Sequence, residues 1–150
     1  MRIGEFVEEF PVVGLDTSAL VAARLIAADR RPGIVVTSPD GRPRAVLPAS
    51  QVVKFMVPDY VQSDPALARV MGEVSADKLA ERLRRATVAD LLPEKPVELA
   101  VVNADDTLME VAAIMARLRS PLCAVIENHR IIGVITAAHL LDLVCGDVHG

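Results

Sequence analysis

Tryptophan is absent from this chain, tyrosine occurs once and phenylalanine three times. With so little aromatic surface there is no platform on which nucleic-acid bases would stack. A formal net charge of −4 also argues against a phosphate-backbone binder. There are only two cysteines, Cys123 in an apolar strand pattern and Cys145 at a helix end. They exclude a disulfide framework and read as reduced thiols of a cytoplasmic protein. Long apolar runs are missing too. Arg, Asp or Glu interrupts each one before the roughly 20 residues that a membrane span needs. Glu5, Glu8 and Glu9 break any signal-peptide pattern near the start. The three histidines, His129, His139 and His149, are not spaced as metal ligands, so no metal site is expected. No nucleophile elbow, glycine-rich phosphate loop or cysteine–histidine spacing is present, and no enzyme is expected.

What is there is aliphatic. Hydrophobic residues make up 52% and mean hydropathy is +0.38. That excess implies a large core, or apolar surface kept for a partner subunit. The chain of 150 residues fits one domain or two small, intimate ones.

One stretch organises the rest: Ile131-Ile132-Gly133-Val134-Ile135-Thr136-Ala137-Ala138-His139. Its first part is β-branched apart from Gly133, which favours a buried strand. Thr136 can cap a helix over 137–144. A strand that feeds a helix start leaves unpaired backbone N–H groups at the junction, a natural place for an anion or a ligand hydroxyl. A weaker version stands earlier, as Arg44-Ala45-Val46-Leu47-Pro48-Ala49-Ser50-Gln51.

In chain order, an apolar-acidic piece at 3–7 precedes an extended segment, Pro11-Val12-Val13-Gly14-Leu15. Asp16-Thr17-Ser18 signals a helix start, with the helix over 19–29 and a stop at Arg30-Arg31-Pro32-Gly33. Strands follow at 34–37 and 44–47 around Pro39-Asp40-Gly41, then a helix over 49–56. Residues 57–86 read as a helical connector poor in Gly and Ser, with Asp64-Pro65 as a helix start and Gly72 and Ser75 as a break. Val88-Ala89-Asp90-Leu91-Leu92 then restarts the first pattern. An extended segment at 99–102 and the start signal Asp105-Asp106-Thr107 lead into a helix over 108–118, stopped at Ser120-Pro121. Strands at 122–126 and 130–135 flank Glu127-Asn128-His129, and a last helix runs to about 145. The copies are offset by 89 positions at Pro32 and Pro121 and by 88 at Val46 and Val134, so one residue is lost in the hairpin. Order, stop signals and offset together mark an internal duplication. The expected fold is α+β, with α/β-like alternation in tandem β-α-β-β-α repeats over 1–57 and 87–146, joined by the connector at 58–86.

A duplicated unit of this order, with Gly133-Val134-Ile135-Thr136 entering the last helix, resembles the cystathionine-β-synthase-type (CBS) domain pair. The resemblance implies two repeats packed sheet against sheet about a pseudo-two-fold axis, and homodimers joined through apolar helices. The helix body at 19–28, apolar almost all round, agrees with that. It also implies an adenine-nucleotide or adenosyl ligand in a cleft between the repeats. There a threonine at the start of the last helix contacts phosphate, and an aspartate three residues on holds the ribose. Thr136 matches the first position, and His139 stands at the second. In the first copy Pro48 and Gln51 stand at these positions. The extended segments Pro11-Val12-Val13 and Val97-Glu98-Leu99 match the wall against the base.

The candidate ligand residues are therefore Thr136, His139, Gly133, Ala137 and Ala138, with Gln51, Ser50, Val12, Val97, Leu99 and Arg44. Thr136 reads more readily as a helix cap than as a ligand contact, because capping is the common use of such a threonine. His139 reads as a ligand group, a pH-sensitive group or a helix-surface residue. Arg42, Arg44, Arg117, Arg119 and Arg130 would gather phosphate if hairpins and helix ends converge, and Arg30-Arg31 and Arg117-Arg119 also suit helix C-termini. Asp105-Asp106 reads as a helix start, and Met109 and Met115 as core. Two functions stay open. One is a stand-alone regulatory module that needs no cofactor, binds an adenosine-containing or anionic ligand and modulates an enzyme or transporter. The other is a dimerising interaction module with degenerate pockets.

Overall fold

Ile34-Val35-Val36 and Leu122-Cys123-Ala124-Val125 are apolar at every position, and each run becomes the middle strand of a three-stranded sheet. The computed structural model describes residues 2–64, 66–70, 76–95 and 99–146. In the first sheet, β1 (Val12–Gly14) runs parallel to β2 (Gly33–Thr37), which pairs antiparallel with β3 (Pro43–Pro48). In the second, β4 (Ala100–Asn103) runs parallel to β5 (Leu122–Glu127), which pairs antiparallel with β6 (Arg130–Thr136). Both ladders slip at the same place, between Val36 and Thr37 and between Val125 and Ile126. The hairpins differ as the offset requires. Asn128 and His129 both have positive φ, as in a tight two-residue turn. The first hairpin is wider, with Ser38 N–H donating to Arg42 O and Gly41 at φ +85°.

A strand without a wet face must be covered twice. On one side, helices cover each sheet: α1 (Ala19–Ala28) and α2 (Ala49–Met56) the first, α7 (Leu108–Leu118) and α8 (Ala137–Gly146) the second. On the other side the sheets meet, through Val35 and Val46 against Leu122 and Val134, with Phe10, Leu99 and Ile131 around them. Alternation along β2 and β5 thus sends successive side chains to different cores.

Between the repeats lie α3 (Asp59–Ser63), α4 (Ala66–Val70) and α5 (Ala76–Arg84), followed by α6 (Val88–Leu91). Asp64 starts α4, its carboxylate accepting from Ala66 N–H, while Pro65, Gly72 and Ser75 lie outside the described residues. Helix α5 packs on α1 and α2, with Leu83 buried in the first core.

The leading segments are exchanged. Residues Ile3–Phe6 form one 3-10 turn whose Ile3 is fully buried in the second core, beside Val102 and Val111. Ile3 N–H donates to Asp106 O and Gly4 N–H to Ala104 O. Reciprocally, Val88 and Leu91 fill the first core, and Val88 N–H donates to Thr17 O. The duplicated sequence units and the packed cores therefore do not coincide.

The start signal Asp16-Thr17-Ser18 works differently from the expected cap. Ser18 makes no side-chain cap bond, Thr17 Oγ1 accepts from Gly14 N–H, and Ala19 N–H donates to Ala86 O. The exchanged segment after α5 thus supplies the acceptor. In the second copy Thr107 caps α7 as expected, accepting from Glu110 N–H. Met115 is buried in the second core, whereas Met109, expected in the core, is 74% exposed because it lies on the outer side of α7.

Candidate functional site

Strand β6 ends in Thr136, and its Oγ1 accepts from the His139 amide at 3.1 Å. Ala137 N–H donates to Pro121 O at 2.9 Å. Two of the first three amides of α8, those of Ala137 and His139, are thus already bonded, which corrects the expectation of unpaired donors for these two. The physical reason is the turn before β5: Pro121 points its carbonyl at the helix start, as Pro32 does toward Ala49 in the first copy.

A segment from ahead of β1 closes over this junction. Glu8 and Val134 exchange backbone hydrogen bonds, N–H to O at 2.8 Å one way and 3.1 Å the other. The approach is close enough that a Cβ on Gly133 would lie 2.7 Å from Glu8 O and 2.9 Å from Val7 Cβ. Only glycine lets the two backbones meet here. The pairing aims the Glu8 side chain at α8, where its Oε1 lies 2.5 Å from His139 Nδ1. Both side chains are partly accessible, 36% for Glu8 and 25% for His139.

Beside this pair, both repeats wall a cavity of about 500 Å³. Glu9, Phe10, Pro11 and Val12 form one side with Arg31, and Ile131, Ile132 and Gly133 the other. The Arg31 guanidinium lies over the Phe10 ring at 4.4 Å and donates to Asp29 at 2.9 Å. Its Nε is buried without a hydrogen-bond partner. A pocket of this size with mostly apolar walls suits a small organic ligand.

The second repeat, residues 88–146, matches the family model described as CBS domain. The whole chain is 57% identical to a CBS domain-containing protein of unknown function from Kribbella flavida DSM 17836. The alignment covers 96% of this chain and 98% of that one, with a TM-score of 0.90. The chain belongs to the CBS domain family. Two more distant solved structures share the fold. The CBS domain of a membrane protein from Sphaerobacter thermophilus is 19% identical, over 95% of this chain and 87% of that one, with a TM-score of 0.70. CBSX2, crystallised in complex with AMP, is 16% identical over 98% of both chains, with a TM-score of 0.66. No curated protein matches the sequence.

Within this CBS pair the expected ligand residues divide into groups. Gly133 and Val12 line the cleft cavity together. Thr136, Ala137 and His139 gather at the start of α8 and, like the exposed Ala138, do not line that cavity. Leu99 packs into the contact between the sheets, and Val97 lies outside the described residues. Gln51 is elsewhere, its Nε2 donating to Leu91 O at 3.0 Å on the wall of a separate cavity of about 260 Å³. Ser50 and Arg44 are exposed and line neither cavity. None of Arg42, Arg44, Arg117, Arg119 and Arg130 lines the cleft cavity, so the arginines expected to gather phosphate do not do so there. Arg42 instead sits 3.5 Å from Asp40.

Sequence reasoning missed Glu8, Glu9, Phe10 and Arg31. Phe10, one of three phenylalanines, directly precedes the extended segment and was the available signal. Nothing in the chain order reveals that Glu8 lies across from residue 139. Among the described residues, no group of three or more His, Cys, Asp or Glu stands ready to hold a metal ion. No described helix is long and apolar enough to cross a membrane. Cys123 is fully buried, and burial pushes its thiol from 9.0 up to about 11, so it is inert at neutral pH.

Proposed function

We propose that this CBS pair is a regulatory module that binds a small adenosine-containing ligand in the cleft and so modulates a partner protein. The observation that carries the reading is the cavity of about 500 Å³ with walls from both repeats. An occupant there touches both halves and stabilises one relation between them over others, as regulation requires. Val12 and Ile132, each partly exposed, offer apolar surface to a flat base. The AMP complex of CBSX2 shares the fold and supports the adenosine class. The partner is an enzyme or transporter whose activity follows the occupied form, and the module works as a homodimer. Val21 on α1 and Leu141 and Val144 on α8 supply exposed apolar surface for that contact.

The test is a thermal-shift screen against AMP, ADP, ATP, S-adenosylmethionine and NAD. A ligand that binds only the native state raises stability by about 2.7 kcal/mol at 100 times its Kd. A saturable rise with one compound, weakened in Val12→Asp, is the expected result. No rise with any of them overturns the reading.

A second reading rests on the spent hydrogen bonds. Thr136, Ala137 and Gln51 are all satisfied within the protein, and Pro48 replaces the first copy's threonine. On that reading the chain is a dimerising interaction module whose pockets are degenerate. A flat thermal-shift screen together with a stable dimer favours it.

A further inference from the structure

We infer that two copies of this chain join second repeat to second repeat, α7 and α8 of one against α7 and α8 of the other across a two-fold axis. This rests on the homodimer of the proposed reading and narrows its surface to one repeat.

The duplication gives each helical position of the first repeat a counterpart in the second, 89 residues on from α1 to α7 and 88 from α2 to α8. Leu20 and Met56 are half-buried against the first core. Their counterparts, Met109 and Val144, are exposed. Val57 is half-buried too, and its counterpart Cys145 is exposed. The same helical face is thus covered in the first repeat and open in the second.

The cover is α5. It packs on both α1 and α2, with Leu83 buried in the first core. Arg82 Nε donates to Phe55 O at 2.8 Å in the last turn of α2, and the guanidinium lies over the Phe55 ring. The connector that carries α5 stands between the repeats, so α8 is not followed by a second one. Met109, Leu141 and Val144 are left without such cover. Helix α7 leads into β5, and α8 leads out of the antiparallel β6, so the two packed helices run in opposite directions. Met109, at the start of α7, therefore lies toward the end of α8 that carries Val144. Large apolar side chains exposed on neighbouring helices mark a surface for association.

What α5 holds decides the occupant. Two copies can place open face on open face, which closes as a dimer, or open face on the first repeat's face, which continues head to tail. The second arrangement needs the face that α5 already covers. Charge does not oppose the first. Helices α7 and α8 carry Glu110 and Asp142 against Arg117, with His139 turned to Glu8, so the face has both signs and can meet its own image.

The test measures the oligomeric state of the full chain by sedimentation equilibrium. Leu141→Asp sets a carboxylate in the apolar contact and is expected to weaken the dimer at least about tenfold. Val53→Asp is the control, because Val53 is the counterpart of Leu141 and is similarly exposed, 53% against 61%. It is expected to leave the dimer unchanged. Hydrogen exchange on the unmodified protein needs no variant to fold. Dilution through dissociation is expected to speed exchange in α7 and α8 and to leave α1 and α2 unchanged. A dimer that survives Leu141→Asp, or one that Val53→Asp weakens as much, overturns the inference and leaves the homodimer standing. Assemblies that grow beyond two copies also overturn it. A monomer at every concentration overturns the homodimer, and this inference with it, while the ligand reading is decided separately by the thermal-shift screen.

Discussion

Gly133 shows how one missing side chain settles a local structure. Its Cβ position is occupied by the backbone of Glu8 and the side chain of Val7. Gly133→Ala therefore forces the segment ahead of β1 away from β6 and strains the Glu8–His139 contact. The expected cost is about 1–3 kcal/mol, the range for an overpacked interior. Urea denaturation checks it, and an unchanged midpoint would show that the close approach is not needed. Cys123 gives a pH dependence with a definite sign. Its folded thiol holds the proton up to about 11, against 9.0 when solvated. The stabilisation from the retained proton is thus complete below pH 9 and lost as pH rises through about 11. Two units correspond to roughly 2–3 kcal/mol. Stability measured from pH 8 to 11 should fall more steeply in the unmodified protein than in Cys123→Ala, in which other titrations are retained. Parallel curves would show that the thiol contributes nothing.

At the level of elements, most of the fold was legible because it follows periodicity and punctuation. The helix over 108–118 was read from Asp105-Asp106-Thr107 and Ser120-Pro121, and α7 has those bounds. Each helix runs out into an arginine with φ +52°, Arg30 after α1 and Arg119 after α7. In both, the next amide reaches back to the last turn: Arg31 N–H to Ile26 O and Ser120 N–H to Met115 O. Such closure is local, so sequence reveals it. The 3-10 turn at Ile3–Phe6 was legible as an apolar piece, but not as part of the second core, because its partners lie about a hundred residues away. The site divided on the same line. Thr136 as a cap is a contact over three residues, and it was readable. Glu8 on His139 spans 131 positions, and no local pattern encodes it.

At the level of the whole molecule, the exchange of leading segments ties the two cores together. Ile3 seals the second core from the start of the first repeat, while Val88 and Leu91 seal the first from the start of the second. Neither repeat is complete without the other's leader, so the two should unfold as one unit. Ile3→Ala tests this. Truncating a fully buried isoleucine is expected to destabilise the protein by about 2–5 kcal/mol. The side chain touches only the second core, so independent repeats would lose hydrogen-exchange protection in β4, β5 and β6 alone. In a coupled pair the most protected amides exchange through global unfolding. Protection should then fall by a similar factor in β2 and β5, although no atom near β2 has changed. A loss confined to the second sheet would show that the repeats open separately. The cleft between them would then be a contact of two autonomous units, and a ligand in it would have no shared unfolding equilibrium to act on.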